Sequence, residues 1–373
     1  MWFRPARFLA TGLALLGCGH GDPFAVRPVG SDSTLSGAVD RRLTFNLGTD
    51  ITPAWREDGS TIIYAFEDLA HPGRDLCLAE LLPTGGSQRG VMCPAGSSSD
   101  SADQLFEPAV SADGRLLYLR EVALEPGEIP ISATLLETTD GQQLPSTPLL
   151  SYPYTAPDGR LHQGISNLRW AGPGHAVYVA QKVERLAPCA RCPEEIVRTG
   201  IGLVVLDLSA IPPALRVVPN TEDISSVTVS AGGHAVYFTR NNERWIYQLV
   251  LANSAYRTAY GFPPGEIARD VQVAGRRLVA VVGGKVSYQD DPVLGPLQRD
   301  HGGRLWVVDL ETGAANVLVV EGRFFRRPAL SPDGTRLVAE AYETTITSRP
   351  ESLGGGADTV VGNVADLWLF DLP

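Results

Sequence analysis

The chain has 373 residues, 44% of them hydrophobic, and a formal net charge of −11. So acidic a surface excludes nucleic acid and anionic lipid headgroups as partners, because both repel it. The apolar fraction is enough for a core, and a length that alone points to two or three domains must yield to any internal repeat.

The first residues carry Arg4 and Arg7, then an apolar run from Phe8 to Leu16, then Gly17 and Cys18, the three-part layout of a secretory signal. The run is too short to span a bilayer. Leu15-Leu16-Gly17-Cys18 resembles the lipobox of bacterial lipoproteins. The resemblance implies cleavage before Cys18, lipidation of that cysteine and, because Gly19 is not Asp, sorting to the outer membrane. The alternative is an ordinary signal peptide cut at a small residue further on. Removing residues 1–17 takes Arg4 and Arg7 away and brings the charge near −13. Residues 18–40 hold many turn formers and no apolar period, and read as the lipidated cysteine and a flexible tether. Its reach is about 25 Å for a coil of this length.

With Cys18 taken by lipid, Cys77, Cys93, Cys189 and Cys192 remain, an even number for an oxidising compartment. Cys77 and Cys93 fall on adjacent arms of one hairpin around Gly85. The expected pairs are therefore Cys77–Cys93 and Cys189–Cys192. For the second, flanked by Pro188 and Pro193, metal ligation, redox chemistry and free thiols stay open.

From residue 41 onward one unit is written six times: a short apolar strand, a tight turn with Gly, then a strand rich in Val, Leu, Ile and Tyr. The copies begin at Pro53-Ala54-Trp55, Pro108-Ala109-Val110, Leu168-Arg169-Trp170, Val227-Thr228-Val229, Val271-Gln272-Val273 and Pro328-Ala329-Leu330. Third strands alternate in period two, as in Leu305-Trp306-Val307-Val308-Asp309 and Leu367-Trp368-Leu369-Phe370-Asp371, and fourth strands follow in five copies. Units of four strands at this period predict an all-β fold, a six-bladed β-propeller of four-stranded antiparallel blades spanning 41–373. The sixth copy reaches Pro373 after its third strand, while residues 41–47 form a spare strand before the first copy. The expected closure has residues 41–47 completing the last blade, which removes its open edge.

Pro-Ala-x-Ser-Pro-Asp-Gly-x-x-Leu followed by Leu-Trp-x-x-Asp resembles the TolB-like, WD-related propeller repeat. The likeness covers residues 41–373 and weakens in the third to fifth copies, where the turn loses its Asp or shortens. It implies a propeller that docks protein partners. Repeats of this kind also occur in prolyl oligopeptidase-like enzymes, whose catalytic half has no counterpart here.

No nucleophile elbow, zinc-protease motif or phosphate loop is written in the chain. His175 and His234 occupy the same slot in two copies and read as packing residues. The long insertions, Glu184–Gly200, Gly284–Gly303 and Thr344–Ala365, all join second to third strands and so lie on one face. There the expected binding residues are Asp290, Asp291, Asp300, His301, Arg349 and Glu351, the first four being groups able to hold Ca²⁺ or Zn²⁺. No cofactor is called for by any motif. The favoured expectation is a lipid-anchored envelope protein that binds a protein, peptide or glycan through this face and contacts the membrane only through its lipid. The alternative is a metal-dependent hydrolase or lactonase with its site at the propeller mouth.

Overall fold

The computed structural model describes residues 39–45, 47–68, 75–94, 101–125, 128–139, 146–187, 194–283, 287–291, 295–299, 303–348 and 357–373. Among them there is no helix. Asp50–Trp55 pairs with Ile62–Glu67, which pairs with Leu76–Leu81, which pairs with Arg89–Met92. Ala102–Val110, Arg115–Ala123, Ser132–Thr139 and Thr147–Tyr152 repeat the pattern. One parallel residue pair, Leu76 with Gln104, joins the two sets into an eight-stranded sheet. Four further four-stranded antiparallel sheets contain, as first or innermost strands, Gly164–Trp170, Ile224–Val229, Ile267–Ala274 and Arg323–Leu330.

These first strands touch one another in chain order, and the last, Arg323–Leu330, touches Asp50–Trp55. Each sheet covers its neighbour: Val279 and Leu305 pack against Phe325 and Leu337 of the next, and Leu117 and Leu135 against Leu168 and Tyr178. Burying such side chains stabilises by about 1.5–3 kcal/mol each, and only the neighbouring sheet can supply the cover. The chain is an all-β propeller of antiparallel sheets.

Neighbouring sheets are also pinned by a repeated polar contact. Trp55 Nε1 donates to the Ala329 carbonyl at 2.8 Å and Trp170 Nε1 to the Ala109 carbonyl at 2.9 Å. The arginine just after each repeat turn lies over that indole, Arg336 on Trp55 and Arg115 on Trp170. The turn itself closes as its residues dictate. Ser331 and Asp333 bond side chain to side chain at 2.6 Å, and Gly334 takes a φ of 72° that a Cβ would oppose.

The first and last described strands pair, but not over the expected span. The closing strand is Val39–Arg42, paired with Asp371–Trp368, so it begins two residues before 41 and stops well short of 47. Leu43 still donates to the Leu367 carbonyl and Thr44 Oγ1 accepts from the Leu367 N–H; beyond them the segment leaves the sheet. The period-two run Leu43, Phe45, Leu47 explains the difference. Only Leu43 finds a core, against Trp55, Leu367 and Leu369, while Phe45 and Leu47 stay exposed.

Cys77 and Cys93 are joined by a disulfide. The three insertions read as loops are instead β-ribbons. Pairing of His175–Leu186 with Glu195–Asp207 continues out to Leu186–Glu195, and that of Arg336–Ser348 with Ala357–Asp371 out to Ser348–Ala357. Ser287–Asp291 pairs with Gly295–Arg299 as a separate two-stranded unit. Alternation in Val183-Glu184-Arg185-Leu186 and Ile196-Val197-Arg198-Thr199 is the local cause of the first, and each ribbon satisfies backbone groups that a loop would leave to water.

Candidate functional site

Every first strand breaks register with its partner at an equivalent place. The breaks fall between Ile51 and Ala54, Phe106 and Ala109, Ser166 and Arg169, Ile224 and Ser226, Ala268 and Asp270, and Arg326 and Ala329. Thr52, Glu107, Asn167 and Arg327 sit there with φ of 52°, 54°, 54° and 42°, a conformation uncommon for residues with a side chain. In three copies proline follows at once: Pro53, Pro108 and Pro328. Proline has no N–H to give to a ladder, so it suits the position where the ladder is interrupted. The bulges aim polar side chains at the axis. Thr52, Glu107, Asn167, Arg169, Asp270 and Arg327 line a cavity of about 320 Å³, its open mouth included.

Hydrogen bonds link the bulges in turn from Glu107 round to Arg327. Glu107 Oε2 accepts from the Asn167 N–H at 2.9 Å, Asn167 Oδ1 from Ser226 Oγ at 3.0 Å, and Ser226 Oγ from the Val271 N–H at 3.2 Å. Asp270 Oδ2 accepts from the Arg327 N–H at 3.1 Å, and Glu340 Oε1, from a second strand, accepts from the Thr52 N–H at 2.7 Å. Arg327 extends its guanidinium into this circuit, Nη1 3.4 Å from Glu107 Oε1 and Nε 3.8 Å from Glu340 Oε1. Tyr342 donates its hydroxyl to Glu340 Oε2 at 2.8 Å.

The ionisable groups respond to burial and to one another. Burial works against the charge of Arg327, but Glu107 and then Glu340 outweigh it, and the pKa rises. Burial raises the pKa of Glu340 although Arg327, the Thr52 N–H and Tyr342 all favour its carboxylate. Arg169 is pushed the other way, its pKa lowered chiefly by burial, with Glu107 opposing. The centre of the ring is thus filled by its own cross-linked side chains, and it leaves room for roughly one water-sized group. Two guanidinium groups, of Arg169 and Arg327, share the lining with the carboxylates of Glu107 and Asp270.

The residues expected to bind are not brought together by the described part of the molecule. Asp300, His301, Arg349 and Glu351 lie outside the described residues, as do Cys18, Cys189 and Cys192. Asp290 and Asp291 are placed by their backbone alone, at the end of Ser287–Asp291 opposite Pro296 and Gly295. His175 is exposed beside the repeat turn with Nδ1 3.0 Å from the Pro173 carbonyl. His162 is buried, its Nδ1 2.9 Å from the Tyr154 hydroxyl, and burial lowers its pKa. The axial residues were the ones to find. Their local signal is the residue directly before proline in Thr52-Pro53-Ala54, Glu107-Pro108-Ala109 and Arg327-Pro328-Ala329.

The chain matches no family model, and no curated protein matches it in sequence. Among solved structures it is similar to XC5397 from Xanthomonas campestris, described as a gluconolactonase, with 16% identity and a TM-score of 0.53 over 93% of this chain and 99% of that one. A luciferin-regenerating enzyme superposes with 13% identity and a TM-score of 0.51 over 90% and 95% of the two chains. TolB from Acinetobacter baumannii gives 14% identity and a TM-score of 0.48 over 84% and 67%. At these identities the likeness is one of fold.

Proposed function

We propose that this protein is a binding scaffold of the bacterial cell envelope, a six-bladed propeller that offers one face to a protein or peptide partner, or to a glycan. The count takes the eight-stranded sheet as two blades meeting at the single Leu76–Gln104 pair. The reading adds what the N-terminal sequence carries: a signal removed before Cys18, a lipid on that cysteine and a tether that holds the propeller near the outer membrane.

The observation that carries the scaffold reading is the placement of the three ribbons. Each joins the second strand of its sheet to the third, at Leu186–Glu195, between Gly283 and Arg304, and at Ser348–Ala357. In a ring of antiparallel sheets these connections rise from one face, which gathers protruding backbone there. A hydrolase or lactonase would place its metal at the mouth of the ring, where Arg169 and Arg327 stand. The carboxylates of Glu107 and Asp270 there are already engaged by the N–H groups of Asn167 and Arg327, which favours the scaffold.

The test is crosslinking of the intact, lipidated protein in its own cells, with each ribbon shortened in turn by removing 184–197, 284–302 or 345–360. Shortening should abolish capture of the partner while the propeller still melts cooperatively. Unchanged partners in all three variants would remove the proposal.

A further inference from the structure

A short hairpin lies at the root of the first ribbon, on the face from which the ribbons rise. Tyr154–Thr155 pairs with Leu161–His162, between the strand Thr147–Tyr152 and the first strand Gly164–Trp170 of the next sheet. Gly164 pairs with Gln181, which is where the ribbon leaves that sheet. Two residue pairs make a hairpin that is marginal alone, so its surroundings hold it in place. It grips both arms of the ribbon in return. Arg160 donates from Nη1 to the Ile201 carbonyl on Glu195–Asp207. Gln163 donates its N–H to the Gln181 carbonyl at 2.8 Å and accepts the Val183 N–H on Oε1 at 3.0 Å, both on His175–Leu186.

His162 is the buried end of this hairpin. Its Nδ1 meets the Tyr154 hydroxyl, which also contacts the Tyr178 hydroxyl at 3.2 Å, and its Nε2 is buried with no hydrogen-bond partner among the described residues. Protonation makes both ring nitrogens donors, and Nε2 then carries part of a positive charge with nothing to receive it. The neighbouring groups do not offset that cost. Asp158 favours the cation and Arg160 opposes it, both from the hairpin turn, and the two already meet each other at 2.6 Å. Tyr152, Tyr154 and Tyr178 stay neutral because burial raises their pKa values. Glu121 and Arg198, beside Gly164, pair with each other at 2.7 and 2.6 Å. Burial prevails, and His162 titrates below the ordinary 6.5.

We infer that this hairpin is an acid-released latch: when His162 takes up a proton, residues 154–162 leave their place beside Tyr178 and the first ribbon loses the grip of Arg160 and Gln163 at its root. Outside, the imidazolium is solvated, and the hairpin has two residue pairs to lose, so release requires far less than unfolding the propeller. The folded pKa lies below the unfolded one, so the latch is fully closed above about pH 6.5. Below it, closure weakens by about tenfold per pH unit until the folded pKa is reached. In its effect on a partner the inference rests on the scaffold reading: a partner held by the first ribbon is let go in mild acid.

The test is hydrogen exchange of the full chain between about pH 7.5 and 5, corrected for the intrinsic pH dependence of exchange. Protection of residues 154–163 and of the Val183 N–H should fall by about tenfold per unit below about pH 6.5, while Ala235–Arg240 in the next sheet keeps its own. His162→Gln cannot titrate and can still accept from the Tyr154 hydroxyl, and it should remove the dependence. Histidine-selective nuclear magnetic resonance on the parent follows the His162 ring itself and needs no variant to fold; its midpoint should lie below 6.5. The latch is overturned if protection is flat over the range, if the loss persists in His162→Gln, or if the ring takes up its proton while the hairpin stays protected. If the hairpin opens in acid and ribbon shortening leaves partner capture unchanged, the latch stands and the scaffold reading falls. If shortening abolishes capture and the hairpin stays closed, the scaffold stands and the latch falls.

Discussion

Glu107 and Arg327 stand on first strands separated by the whole of Asp50–Trp55, yet Glu107 Oε1 and Arg327 Nη1 lie 3.4 Å apart at the ring axis. The other carboxylate oxygen of Glu107 accepts the Asn167 N–H, so one buried side chain ties three sheets together. Glu107→Gln keeps an acceptor for that N–H and removes the charge facing Arg327. Glu107 is buried but the Arg327 side chain is 42% exposed, so the expected loss falls below the about 3–5 kcal/mol of a fully buried pair, to about 1–2 kcal/mol. Urea unfolding measures it; a change under about 0.5 kcal/mol would show that Arg327 is solvated through the channel instead.

The strands were legible because a turn marked by Asp or Gly recurs with apolar alternation on both sides, and local spacing is all that a hairpin requires. The axis was not. Pro53, Pro108 and Pro328 read as strand openings, whereas each follows a bulge that turns Thr52, Glu107 or Arg327 inward. Contacts such as Thr52 with Glu340 join residues from opposite ends of the chain, and no local period encodes them. The ribbon from Val183 carries its alternation openly, but Pro188 and Pro193 between its arms present as a loop. The bidentate pair Glu121–Arg198 is hidden for the same reason as the axis, since its partners belong to different sheets.

Glu340 sets a pH dependence of defined sign. Its folded pKa is raised by burial, so its contribution to stability is fully present below the ordinary carboxylate value and is lost as pH rises through the folded one. Glu340→Gln cannot titrate. Its stability relative to the parent should therefore rise between about pH 4.5 and neutrality, read as the difference between two series of thermal melts. A relative stability that falls over that window would mean that attraction to Arg327 exceeds the cost of burial.

Asp333 behaves oppositely. The Ser331 hydroxyl and the Thr335 N–H hold its pKa down, from the ordinary 3.8 to about 2. Its contribution is present above 3.8 and disappears as pH falls through about 2. Asp333→Asn should cost about 0.5–1 kcal/mol at neutral pH, at the low end for such bonds because the carboxylate is largely exposed. The difference should vanish in acid. A constant difference down to the lowest pH at which the fold survives would assign the loss to turn geometry rather than to charge.

Where the closing strand begins decides what the propeller can lose. Val39–Arg42 covers the outer edge of Ala357–Asp371, Arg42 meets Asp366 at 2.7 Å, and Leu43 is buried against Trp55, Leu367 and Leu369. Asp366 already has its pKa raised by burial, with Arg42 the main group opposing that rise. A chain starting at residue 39 should fold and melt like the parent. One starting at residue 44 loses a buried leucine, worth about 2–5 kcal/mol, leaves Asp366 without its cation and exposes a strand edge that can pair with another molecule. It should melt several degrees lower and self-associate in sedimentation experiments. A monomeric chain from residue 44 with the parent melting temperature would mean that the ring is held by contacts among its first strands, and that the outer edge of the last sheet needs no cover.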